Sequence, residues 1–185
     1  MNYKYSPENQ IHLPQKIYNT IIEHCRKKLS PGSDQEEKHN DYKAFGLLAG
    51  IIKDKKIQIQ QCYPLYKNAR SAGPYKNYMD DIMAKHAMPS ITPLEKRGWV
   101  AEPEELLEKI HSCKRKNIIM LGTYHMHRVA WDHDKLRDTP TNLDTVLAEK
   151  SGLVMFIISM TEPQKPIIRA FHEGNKDKEI AISII

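Results

Sequence analysis

Three short, almost unbroken apolar runs limit what this chain can fold into more than any other feature. They are AFGLLAGIIK at 44–53, NIIMLGTYHMH at 117–127 and LVMFIIS at 153–159. Each is too short for a typical helix and lacks a helical spacing of apolar residues, so each reads as a buried strand. Gly46 and Gly50 inside the first run permit a close backbone approach or a bulge. KIQIQQCYPLY at 56–66 alternates from Ile57 through Ile59 and follows the lysine-rich KDKK turn, which makes it the second half of a hairpin. PIIRAF at 166–171 and EIAISII at 179–185 read as two further strands.

Helices fall between these runs. PQKIYNTIIEHCRKKL at 14–29 places Ile17, Ile21, Ile22, Cys25 and Leu29 at helical spacing, with Pro14 at its start and Pro31-Gly32 beyond its end. AEPEELLEKIHSCKRKN at 101–117 carries acids in its first turn, Pro103 early and basic residues last, each in the sense that complements a helix dipole. TPTNLDTVLAEKSG at 139–152 predicts a helix with Thr139 or Thr141 as N-cap and Gly152 as its stop. The segment 68–98, with Pro74, Pro89 and Pro93 and no firm period, predicts a long irregular excursion. This order of elements predicts an α/β or α+β sandwich: one domain over 1–185 with a central mixed β-sheet and a helix packed on each side.

Composition excludes several functions. A hydrophobic fraction of 40% and a charged fraction of 28% describe a soluble globular chain, and no apolar run approaches the roughly 20 residues that cross a bilayer. The first residues, MNYKYSPENQIHLPQ, contain no apolar stretch of a secretory leader, so the expected location is the cytoplasm. Cys25, Cys62 and Cys113 are odd in number and widely spaced, which predicts free thiols packed as small hydrophobes. The net charge of +5 is spread among acids, and no stripe of basic and aromatic residues accompanies it. Nucleic-acid binding is therefore not expected.

The chemistry-bearing residues cluster near the end of the second apolar run. His125 and His127 are two apart on a predicted strand, so both side chains leave the same face and can converge on one ion. Alternating histidines also occur on ordinary half-buried strands. Asp144 follows in the first turn of the next helix and could reach back toward the strand end, although an acid there also complements the helix dipole. Two imidazoles and a carboxylate form an open set of the kind that binds zinc and leaves a position for water.

The stretch GTYHMH … PTNLD resembles the JAB/MPN metallopeptidase family, whose signature is H-x-H-P … S-x-x-D with an upstream E-x-x-G-x-L-x-G. YKAFGLLAG, NARSAGPYKNYMD, WVAEPEELLEKI and the stretch from PTNLD to LVMFIIS fall where that family has its counterparts, so the resemblance covers most of the chain. It implies a JAB/MPN-like, cytidine-deaminase-like architecture. It also implies a Zn2+ ion on His125, His127 and Asp144, whose bound water attacks an amide carbonyl in a peptide or at the tail of a ubiquitin-like or sulfur-carrier protein. Thr141 stands where the family's serine donates to the developing oxyanion.

Three positions depart from the pattern. Lys43 occupies the place of the family's glutamate base, and a lysine beside a dication is a poor proton acceptor. Asp41 is the candidate replacement, two residues earlier, with Glu36 and Glu37 in the preceding loop as others. A catalytically impaired binding or scaffold protein is the alternative that Lys43 raises. The interval RVAWDHDKLRDTP at 128–140 is an insertion relative to the family, offering His133 or Asp134 as replacement ligands and Trp131 as either a partner anchor or packing for its own loop. Arg128 replaces the proline after the second histidine.

Overall fold

The computed structural model describes residues 9–30, 42–90 and 92–185. Among these residues seven strands and four α-helices follow in the order β1 (Gln10–Leu13), α1 (Gln15–Leu29), β2 (Phe45–Lys53), β3 (Lys56–Leu65), α2 (Gly73–His86), α3 (Pro103–Arg115), β4 (Ile119–His127), α4 (Asn142–Ala148), β5 (Val154–Ser159), β6 (Ile167–His172) and β7 (Glu179–Ile184). The sheet runs β1-β3-β2-β4-β5-β6-β7 and closes on itself. Closure comes from β1, which pairs in parallel with both β3 and β7, setting Ile11 beside Ile57 on one side and Ile182 on the other.

This closure overturns the expected sandwich. A sheet with a helix on each side needs two free edges, and here β1 and β7 join them, so the architecture is a mixed β-barrel with helices packed on it. Two irregularities supply curvature: the pairing of β2 with β3 shifts at Ala49/Gly50, and its pairing with β4 shifts at Leu48/Ala49. The β2–β3 hairpin turns through Asp54 and Lys55, both at positive φ as a tight two-residue turn requires.

Alternation along the strands defines two faces. Tyr124 and Met126 of β4, and Val154, Phe156 and Ile158 of β5, join one core cluster with Ile17, Ile21, Ile22 and Cys25 of α1. The opposite face of β5 puts Met155 and Ile157 with Phe171 against Ala148 of α4. Since side chains alternate, His125 and His127 leave β4 on this second face, in line with Ile157 and Ser159 of the parallel β5.

The 68–98 excursion is more ordered than its sequence suggests, because α2 and a short 3₁₀ turn at Leu94–Lys96 run through it. Pro74 sits in the first turn of α2, where its missing N–H costs no hydrogen bond, and Met79 and Met83 give that helix its buried contacts. The segment folds around Arg70, only 2% exposed, whose guanidinium donates to the carbonyls of Lys76, Leu94 and Arg97 and pairs with Asp80. That arrangement carries Arg97 and Trp99 to the second face of β4.

Candidate metal centre

His125, His127 and Asp144 are brought together as the sequence expects. Among the described residues they form the one group of three or more His, Cys, Asp or Glu side chains able to hold a metal ion, with donor atoms within 4.8 Å of one another. The two Nε2 atoms are 3.0 Å apart. Asp144 Oδ1 lies 3.3 Å from His125 Nε2, and Oδ2 lies 3.6 Å from His127 Nε2. A tetrahedral zinc ion with bonds near 2.0–2.1 Å sets its donors about 3.3 Å apart, so these separations bracket the required spacing. The donor set fits a metal ion.

The surroundings fix each ligand. The Nδ1 of His127 is 2.8 Å from the carbonyl of Arg137, so Nδ1 carries the proton and Nε2 turns its lone pair toward Asp144 and His125. Burial, against the pull of Asp144, keeps the His127 imidazole below its ordinary pKa and therefore neutral. Burial alone would raise the Asp144 carboxyl, yet the imidazoles of His125 and His127 outweigh it and hold that group well below the usual carboxylate range. His125 lies nearly parallel to the ring of Phe45, which in turn stacks on Trp99 with centroids 6.0 Å apart.

Thr141 is the N-cap of α4, as one of the two residues expected there. Its hydroxyl donates to Asp144 Oδ2 at 2.7 Å, and the Thr141 amide donates to the same oxygen at 2.7 Å. The Asp144 amide returns a bond to the Thr141 hydroxyl, completing a capping box. The single hydroxyl proton of Thr141 is thus directed at the carboxylate of Asp144, a candidate metal ligand.

The candidate base Asp41, like Glu36 and Glu37, lies outside the described residues. Lys43 lines the cavity in front of the ligands, a space of about 550 Å³ in which Asp144 is the sole carboxylate among the described lining residues. His133 and Asp134 do not join the ligand cluster. Asp134 instead accepts from the Arg137 amide at 2.8 Å, and Trp131 packs within its own loop beneath the Arg137 guanidinium, 3.4 Å from its ring centroid. Arg137 was not legible as a site residue, because its contribution to His127 is a backbone carbonyl, held at a positive φ of 52°. Cys25, Cys62 and Cys113 are free thiols, and burial pushes those of Cys25 and Cys62 up to about 12, so neither is a thiolate ligand.

No family model matches this chain, and no curated protein matches it. Among solved structures it is similar to the solution structure of protein DSY2949 from Desulfitobacterium hafniense, at 23% identity and a TM-score of 0.62, covering 95% of this chain and 92% of that one. That likeness supports the fold. Among the described residues, no helix is long and apolar enough to cross a membrane.

Proposed function

We propose that this chain is a zinc-dependent hydrolase of the JAB/MPN metallopeptidase type, cutting an amide bond in a peptide or at the tail of a ubiquitin-like protein. The observation that carries the reading is the convergence of His125 Nε2, His127 Nε2 and the Asp144 carboxylate at tetrahedral spacing on the wall of a substrate-sized cavity. When bound, zinc supplies a water nucleophile near neutral pH and polarises a carbonyl oxygen.

The chain's own residues prepare that chemistry. The Arg137 carbonyl fixes the tautomer of His127, Thr141 fixes the rotamer of Asp144, and Phe45 limits the tilt of His125. Leu143, Leu147 and Met155 give the cavity apolar walls that exclude water from around an amide. The three unpaired thiols fit the reducing cytoplasm as the setting.

A second reading keeps the metal but not the turnover. It is favoured by Lys43 lining the cavity where the resembled family has its glutamate, with Asp144 as the sole carboxylate among the described residues there. Elemental analysis of the wild type and of a His125→Ala, His127→Ala double variant, with a peptide-hydrolysis assay of the wild type and Lys43→Glu, separates the two. One zinc per chain that disappears in the double variant, together with wild-type turnover, supports the hydrolase and places the base outside Lys43. Zinc without turnover, with activity appearing in Lys43→Glu, supports the binding module. A wild type that holds no zinc after metal loading sinks both.

A further inference from the structure

The guanidinium of Arg137 borders the cavity with part of its hydrogen-bonding capacity unfilled. The residue is only 7% exposed, and neither Nε nor Nη1 has a hydrogen-bond partner. It pairs only loosely with Asp134, whose Oδ2 is 3.8 Å from Nη1, and it also lies in the field of the Asp144 carboxylate. Removing a cation from water costs several kcal/mol unless paired and hydrogen-bonded charge offsets it, and the loose pair with Asp134 leaves two N–H donors of this arginine for a closer anion. The Trp131 ring against its face holds the guanidinium in one plane, which lowers the entropic cost of binding a carboxylate to it.

Two further observations point the same way. Among the described residues, the cavity is lined by Lys96, Arg97, Arg128 and Arg137 against the single acid Asp144, whose charge is already engaged by two imidazoles and Thr141. Trp99 lines the same space with its indole Nε1 buried and without an acceptor, a second donor in want of an oxygen. The apolar walls between these donors suit a peptide side chain.

We propose that this cavity is a carboxylate-binding subsite anchored by Arg137, so that the substrate is a peptide presenting a carboxylate beside the scissile amide. The identity of the scissile bond rests on the hydrolase reading, whereas the subsite itself does not. The carboxylate has two sources, the C-terminal end of the peptide or an acidic side chain.

Both tryptophans of the chain, Trp99 and Trp131, line the cavity, so intrinsic fluorescence reports its occupancy. Titrations of the zinc-loaded wild type, Arg137→Gln and Arg137→Lys would use three probes. These are N-acetyl-Ala-Ala-Phe as the free acid, the same peptide as its C-terminal amide, and N-acetyl-Ala-Ala-Asp as the amide. A charge-assisted pair predicts that the free acid binds the wild type about 10- to 100-fold more tightly than its amide. That preference should vanish in Arg137→Gln and return in part in Arg137→Lys, with zinc content unchanged in both variants because His127 is held by the backbone carbonyl.

If the aspartyl amide matches the free acid, the subsite stands and reads an acidic side chain. If it matches the phenylalanyl amide, the subsite stands and reads a chain end. Equal binding of acid and amide by the wild type, saturable binding of neither, or an undiminished preference in Arg137→Gln overturns the proposal. Preference without turnover leaves the subsite in place and removes the hydrolase reading, while turnover without preference does the reverse.

Discussion

His24 is buried in α1 with its Nδ1 2.8 Å from the Tyr124 hydroxyl and its Nε2 without a partner. Burial, reinforced by Lys28 and Lys27, lowers its pKa from 6.5 to about 4, so the native state carries a neutral imidazole where the unfolded chain takes up a proton. The stability this contributes is fully present above 6.5 and is lost as pH falls toward 4. The gap amounts to about 3 kcal/mol, of which about 2 kcal/mol should disappear between pH 7 and pH 5. Urea titrations at those two pH values, on the wild type and His24→Gln, measure it; a loss of equal size in the variant would assign the effect elsewhere. At the same scale, Thr141→Ala removes two hydrogen bonds, the one that caps α4 and the one that orients Asp144. It should cost about 1 kcal/mol of stability and weaken zinc binding about 10- to 100-fold. A chelator competition that finds unchanged affinity would deny Thr141 its positioning role.

Among the elements, β4 is where sequence and packing agree most closely. Its two histidines leave one face as the run NIIMLGTYHMH predicts, and Gly122 pairs with Val154 of β5. A Cβ at Gly122 would stand 2.3 Å from the Val154 carbonyl oxygen, a backbone atom that cannot step aside. Gly122→Ala should therefore cost about 2–3 kcal/mol by forcing the two strands apart, which a urea midpoint would register and a mild effect would contradict. Strands β2 to β7, helices α1, α3 and α4 and the trio of His125, His127 and Asp144 were legible because long periods, capping residues and an alternating pair leave strong local signals. The rest was not. β1 is a four-residue strand whose pairing partners lie more than forty residues away, so nothing local announces it. α2 buries only Met79 and Met83 and owes its place to Arg70, a buried cation satisfied by distant carbonyls. Barrel closure is likewise a property of register between strands that no single stretch contains.

On the scale of the whole molecule, the candidate metal centre draws its residues from two elements. His125 and His127 belong to the barrel through β4, whereas Asp144 belongs to α4, a seven-residue helix that is too short to be stable alone and packs on the barrel through Ala148. An ion held by all three couples the order of α4 to that of the sheet, and because it binds the folded chain only, its affinity becomes folding stability. With free zinc at 100 times its dissociation constant, the gain is about 2.7 kcal/mol. For a chain of this size that corresponds to a rise in melting temperature of roughly 5–10 °C. Thermal melts with zinc and with chelator should show this rise in the wild type and none in the His125→Ala, His127→Ala variant. Amide exchange should slow in α4 as well as in β4, because the helix is held from the far side of the ion. A melting shift that persists in the double variant would place the zinc elsewhere, and protection confined to β4 would mean that Asp144 does not reach it.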